Sequence, residues 1–491
     1  MHLPLVYFSA AFAVGASAWT HPGLLVTDSE VSRIQTKLAA EKEPWVSAWA
    51  YFESLSFSSS SYTPNAVSDI DRPTNGEILW HDAAAAFNLA LRWKVTQEDE
   101  YADAASAILS AWGKTLTTFS GGDDKYLSAG LQGYELANAA ELLRDYAPFV
   151  EDGWDTFVDM AVNVILPLNF AFLNHEEPSQ HNVLHFFANW ELAQVASIQA
   201  ISVLTENATA WEFAIDYFKN GDGNGAIGNA ITPLVEDPDT GAALGQGQES
   251  GRDQGHSALD QQLLAAVAQQ AWNQGEDLFV LNDSLILRGA EYFARYNLGH
   301  DVPFEPYTNG IVSYTDISSA SRGATRPTWE LLYAHYVQIK GLDAPYTVAY
   351  RNNTLEYFGG LFEKGIGYGE GSGHYDGVGW GTLLYRLEED DLEAIQGGTS
   401  TATATATFQS SASSSPASSP SSTVIASESA TPSTIASSAA SVSTSRASTT
   451  TTTNSATGTS TTGVAIQPTL GHGHGHGHGH HGHDAGGHCK A

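Results

Sequence analysis

The span from Gly245 to His256 sets a carboxylate (Glu249), a guanidinium (Arg252), a second carboxylate (Asp253) and an imidazole (His256) among glycines at 245, 247, 251 and 255. Such a set can grip an anion in bidentate fashion and move a proton near neutral pH. A surface loop stitched by its own ion pairs is the alternative reading of the same residues. Ser257 with Asp260 has the pattern of an N-cap pair, and Leu259, Leu263, Leu264 and Val267 recur at helical spacing. A helix is therefore expected to begin there, with the charged loop at its mouth.

The elements that would position this loop are almost all helices. Ser29 to Leu55, His81 to Trp93, Tyr101 to Trp112, Leu131 to Arg144 and Trp154 to Leu166 each carry apolar residues every three to four positions. So do Asn189 to Leu204, Trp211 to Lys219, Ala258 to Trp272, Ser284 to Tyr296 and Thr328 to Ile339. Gly, Pro, Asn and Asp clusters separate them. Helical hairpins stacked side by side build a solenoid or, when closed, a toroid, and no fixed-period repeat points to a TPR-like or ankyrin-like array. Strand signals are confined to Ile311 to Tyr314 and the Gly-rich end from Gly365 to Tyr385.

Residues 1–18 read as a secretory signal peptide ending Ala16-Ser17-Ala18, its apolar run being too short to span a bilayer. The expectation is a secreted, extracellular protein with no membrane partner. Sequons at Asn207, Asn282 and Asn352 agree with a glycosylating pathway. A single cysteine, Cys489, allows no intrachain disulfide. The formal net charge of -34 argues against nucleic acid, and it requires that any acidic substrate meet the few basic residues gathered in one cleft. Residues 19–397 are long enough for a large core. Residues 398–463, rich in Ser and Thr, read as a disordered linker, and residues 464–491 as a His/Gly tail. His472, His474, His476, His478, His480, His481 and His483 could gather around zinc or copper, or simply be a solvated appendage.

Several stretches resemble the alginate-lyase-type polysaccharide lyases: Asp82 to Trp93, Gly133 to Arg144, Asn189-Trp190-Glu191, Glu249 to His256 and Arg326 to Glu330. The resemblance implies an all-α fold, an incomplete (α/α) toroid, and β-elimination on a uronic-acid polymer without a required cofactor. The chain departs from that pattern in two places. Trp190 follows Asn189 where the family has histidine, and no tyrosine follows Arg252 closely, His256 and Leu259 standing there instead. The substrate implied is a polyuronate of the alginate or glucuronan type.

Elimination needs a group that neutralises the uronate carboxylate, a base for the carbon 5 proton and an acid for the leaving oxygen. Asn189 and Arg252 suit the first task, although Asn189 could equally be a helix N-cap. His256 suits the second, a structural histidine being the alternative. By resemblance the acid is a tyrosine: Tyr296, with Tyr134, Tyr314 and Tyr333 as competitors. His81, Trp190, Glu249, Arg322, Arg326 and His374 are candidate substrate contacts. Two other readings use the same residues. An inverting glycoside hydrolase would need two carboxylates from Asp82, Glu249, Asp253 and Glu330, and a non-catalytic glycan-binding protein would use the aromatic residues for stacking.

Overall fold

Two kinds of helix make up the chain, those that bury one stripe and those that are buried all round, and the difference sorts them into layers. The computed structural model describes residues 19–177 and 182–395, all within one unit of the chain. The expected signal peptide, linker and His/Gly tail lie outside the described residues.

In chain order, α1 (Asp28–Ala39) and α2 (Trp45–Ser54) are followed by β1 (Asp69–Asp71), α3 (Arg72–Thr96), α4 (Asp99–Thr115), β2 (Thr118–Ser120) and α5 (Asp124–Leu142). Short α6 (Ala147–Asp152) precedes α7 (Trp154–Met160), which passes through a π-helical turn, Ala161–Ile165, into α8 (Leu166–Leu173). Next come α9 (Ala188–Leu204), α10 (Ala208–Asn220) and α11 (Ile227–Ala230), then an antiparallel hairpin, β3 (Ile231–Glu236) with β4 (Ala243–Gly247). Helices α12 (Gln254–Asn273) and α13 (Leu281–Asn297) lead to a second hairpin, β5 (Tyr307–Thr308) with β6 (Ser313–Tyr314). The described chain closes with α14 (Trp329–Leu332), a π-helical segment Tyr333–Ile339, α15 (Pro345–Tyr357) and α16 (Gly381–Leu384).

Helix α9 is buried along its whole length, and α5 and α12 along most of theirs. A helix with no face left for water must be covered on every side. Helices α3, α5, α9 and α12 pack in succession as an inner layer, with α4 over α3, α7 against α4, and α8 and α10 against α9. The outer helices α1, α4 and α10 bury single stripes, such as Ala102, Ala105, Ile108 and Leu109 of α4. Several of the polar side chains trapped between inner helices bond one another. Asn138 Nδ2 donates to Gln270 Oε1 at 2.9 Å, Gln270 Nε2 to Gln199 Oε1 at 3.1 Å, and Asn169 Nδ2 to Gln194 Oε1 at 2.6 Å. This ladder of amides fixes the register of α5, α12, α9 and α8.

The expected helices form, with informative departures. Ser29 to Leu55 splits in two where Pro44 stands before α2. Regular helix in α13 begins only after Ser284, because Asn282, Asp283 and Ser284 adopt left-handed backbone angles. The apolar run of α7 and α8 extends to Leu173, so Trp154–Leu173 is long and apolar enough by composition to cross a membrane; its Phe157, Ile165, Phe172 and Leu173 are buried against neighbouring helices. The β3–β4 hairpin was not foreseen, since Leu244-Gly245-Gln246-Gly247 lacks the β-branched residues that mark strands. Gly245 is required there: a Cβ would lie 2.4 Å from Ile231 Cγ2 and 3.2 Å from the Gly289 backbone nitrogen.

Near α14 the core holds a carboxyl that should make stability depend on pH. Glu363 is sealed, accepts the Trp329 and Glu330 N–H groups at 2.9 and 3.1 Å, and leaves its other oxygen unpartnered. Burial, with the Glu330 charge beside it, pushes it up to about 8. A carboxyl raised in the folded state stabilises fully below its unfolded value near 4.5 and loses that contribution as pH rises through about 8. Thermal unfolding from pH 4.5 to 8.5 should show stability falling with pH, at up to about 1.4 kcal/mol per pH unit from this group. Glu363→Gln should flatten that slope, and an unchanged slope would refute the assignment.

Candidate active site

The charged loop leaves β4 and is pinned from both sides before it enters α12. On one side it caps α9. That helix begins after Phe187, which offers no side-chain cap, so its first N–H groups need acceptors from elsewhere. Gln248 Oε1 accepts Ala188 N–H at 2.9 Å, and Glu249 Oε1 accepts both the Asn189 backbone N–H at 3.1 Å and its Nδ2 at 2.5 Å. The other Glu249 oxygen accepts Arg252 Nη1 at 2.8 Å, and the guanidinium lies 4.0 Å from the centre of the Phe187 ring. Arg252 is thus held by charge and by stacking together.

Beneath this pair sits a second buried carboxyl. Asp260 has neither oxygen bonded to a described donor, and Glu249 is the acidic neighbour whose charge acts on it most. Burial and the Glu249 charge push Asp260 well above the usual carboxylate range, which favours its protonated form. Glu249 Oε2 is the oxygen that holds Arg252.

At the mouth of α12 the N-cap is Asp253, not Ser257. Its Oδ1 accepts the His256 backbone N–H at 2.8 Å, and its Oδ2 lies 2.6 Å from His256 Nδ1. Although burial pushes Asp253 up, the His256 hydrogen bonds and the Arg252 charge outweigh it and hold the carboxylate below its ordinary range. An ionised carboxylate can only accept, so Nδ1 carries the hydrogen, and in its uncharged form the ring presents a lone pair at Nε2. The side chain is 38% exposed and Nε2 has no partner among the described residues, which is the arrangement a base needs. The positive end of the α12 dipole favours an anion at the same place.

The far wall is the β5–β6 hairpin. Tyr307 and Tyr314 are direct cross-strand partners, so their side chains share one face. The Tyr314 ring lies on Gly251, where a Cβ would come within 2.5 Å of Tyr314 Cβ. Tyr307 lies with its hydroxyl 3.4 Å from Asn224 Nδ2, close to Gln248, and burial pushes its ionisation up. Below the hairpin, Ser318 N–H donates to Ser250 O and Gln254 N–H to Ala320 O, each at 2.9 Å, strapping the loop down.

The candidate residues thus fall into groups. Arg252 and His256 stand together at the opening. Asn189 and Glu249 lie one layer deeper, both sealed, where they position Arg252. Trp190 is buried in an aromatic stack with Phe172 and Phe186. Tyr296 is only 5% exposed, its ring covered by the Arg322 guanidinium at 3.9 Å. Arg322 itself bonds the Tyr296 and His300 carbonyls at 2.8 Å and closes the end of α13. His81, Arg326 and His374 gather beside Tyr375 and Asp376 in an adjoining cluster, joined to the loop where Arg326 Nε reaches Gly255 O at 3.4 Å. Tyr134, sealed in α5, donates to Asp376 O at 3.2 Å, and Tyr333 lies under Arg351. The sequence reading does not single out Tyr307 or His185, and it takes Asp260 only as half of an N-cap pair with Ser257. The one available signal was for His185, four residues before Asn189, whose carbonyl accepts Asn309 Nδ2 at 3.3 Å.

Of the carboxylates a hydrolase would need, three are sealed as structural anchors. Asp82 accepts from Tyr62, Asn65 and Trp112, Glu249 holds Asn189 and Arg252, and Glu330 holds Arg351 and Arg386. Only Asp253 reaches the opening, paired with His256.

A two-layer helical toroid with an arginine and a histidine at one helix mouth is the frame of a polysaccharide lyase. The fold is that of alginate lyase A1-III from Sphingomonas species A1, with TM-score 0.51 at 13% identity over 76% of this chain and 98% of that one. A variant of the same enzyme complexed with a tetrasaccharide gives 0.50 at 12% identity, covering 76% and 98%. No curated protein matches by sequence. Residues 59–302 match the alginate lyase family, and the chain belongs to it.

Proposed function

We propose that this lyase cleaves a uronic-acid polymer of the alginate or glucuronan type, with Arg252 holding the uronate carboxylate and His256 taking the carbon 5 proton. The observation that carries the proposal is the Asp253–His256 pair beside the buttressed Arg252. The base is oriented by a carboxylate and the charge is fixed by a sealed one. His256 Nε2 accepts the proton, the electron pair forms the carbon 4–carbon 5 double bond, and the carbon 4–oxygen bond breaks. The leaving oxygen takes a proton from a tyrosine, for which Tyr314, against Gly251, has the better place than covered Tyr296. Asn189 and Glu249 act through Arg252. No step requires a metal, because Arg252 supplies the charge that an enolate needs.

Export from the cell, with processing between Ala18 and Trp19, is part of the same proposal. It is supported by Trp19 already packing edge-on against Trp211 at 5.8 Å. Zinc or copper capture by the His/Gly tail is not needed for turnover.

The test is to incubate the protein with alginate, glucuronan and a neutral glucan and to follow the ultraviolet absorbance of the new conjugated double bond. Absorbance should rise with a polyuronate only, and equally with chelator present. New reducing ends without absorbance would replace this reading with hydrolysis, and binding without cleavage would make the toroid a glycan-binding platform.

A further inference from the structure

Beside the catalytic loop two arginines converge on one carboxylate. Arg72 Nη2 lies 3.2 Å from Asp376 Oδ1, and Arg326 Nη1 lies 3.1 Å from Asp376 Oδ2. Two cations on one anion leave a positive charge unmatched. The other acid at this spot, Glu135, is sealed in α5 with one oxygen unpartnered, and burial followed by the Asp376 charge pushes it well above the usual carboxylate range. Its protonated form is favoured, so it offsets the arginines less than an exposed carboxylate would. Glu77 and Glu370 stand exposed at the rim, where water screens them.

Both guanidiniums are held ready. Arg72 lies over the Trp80 ring at 5.4 Å and donates Nη1 to Gln132 Oε1 at 3.3 Å. Arg326 uses Nε on Gly255 O and Nη1 on Gly373 O and Asp376. That leaves Arg72 Nε and Arg326 Nη2 without a partner among the described residues, while the two side chains keep 12% and 13% of their surface open. Trp80 stacks on Tyr375, which His81 also touches, at 6.3 and 4.8 Å between ring centres. An open groove of about 650 Å³ meets this cluster at His81 and is lined also by Asn65, Thr74, Asn75 and the exposed Glu77. In a chain of net charge -34, a preorganised cation pair with unused donors and an aromatic wall is suited to an anionic sugar.

We propose that Arg72 and Arg326, with Trp80, His81 and Tyr375 as the wall, form a second uronate subsite. It takes the carboxylate of a sugar neighbouring the one held by Arg252, and rests on the polyuronate reading above. Recognition at two carboxylates makes affinity depend on a run of charged residues and on salt.

The test compares wild type with Arg72→Gln and Arg72→Lys on the polyuronate that the enzyme cleaves. Arg72→Gln should raise KM by about 10-fold or more, leave kcat at saturation within about 3-fold, and weaken the salt dependence of KM. Arg72→Lys keeps the charge without the planar fork and should raise KM a few-fold, which decides the matter if Arg72→Gln does not fold. An unchanged KM and salt dependence, or a loss confined to kcat, overturns the subsite. Calorimetry with a uronate tetrasaccharide, in a His256→Ala background, reads binding without turnover. Binding lost on adding Arg72→Gln keeps the subsite even if elimination is never observed, and binding that survives refutes it.

Discussion

His256→Ala should lower turnover by about 100-fold or more while KM changes little. The expectation follows from where the ring stands. Asp253 fixes Nδ1 from one side, and Nε2 meets no described protein group, so removing the imidazole removes a proton acceptor and little packing. Arg252 remains held by Glu249 and Phe187, which do not touch His256 through any described bond, so the carboxylate grip should survive. Steady-state rates from the absorbance assay, with a thermal melt to confirm folding, separate the outcomes. If KM rises and kcat stays, His256 binds the uronate carboxylate and the base is elsewhere. If both stay, the ring is structural.

How far the sequence could lead here depended on the distance between partners. Arg252, Asp253 and His256 were legible because they lie close together in sequence at the junction of loop and helix, where spacing alone implies contact. Asp253 as the cap was not, because Ser257 fits the same local pattern and only the closed turn shows which side chain reaches the His256 N–H. Glu249 and Asn189 stand 60 residues apart, and nothing local says that a loop carboxylate caps a distant helix. Arg72 and Asp376, 304 apart, are further beyond reach. Burial was the other blind spot: Asp82, Glu249 and Glu330 look like available acids in the sequence and are sealed anchors in the fold. The inner helices were legible as helices but not as inner, since their Gln and Asn residues read as solvent-facing until the amide ladder places them in the core.

The leaving-group acid is the sharpest case, because the sequence holds 20 tyrosines and offers no means of ranking them. The hairpin supplies one. Tyr314 lies on the glycine just before Arg252, while Tyr296 is roofed by Arg322 and Tyr134 is sealed in α5. Tyr314→Phe removes one hydroxyl and should lower kcat by about 100-fold or more, with KM nearly unchanged, since a proton donated to the departing oxygen matters only as the bond breaks. Tyr296→Phe should leave kcat within about 3-fold, because it keeps the ring that Arg322 covers. A substrate with a leaving group too acidic to need protonation should largely restore Tyr314→Phe and leave His256→Ala impaired. If Tyr296→Phe is the dead variant instead, the roof of Arg322 must open for catalysis and Tyr314 serves only to close the wall; if Tyr314→Phe and His256→Ala are restored alike, one group performs both proton transfers.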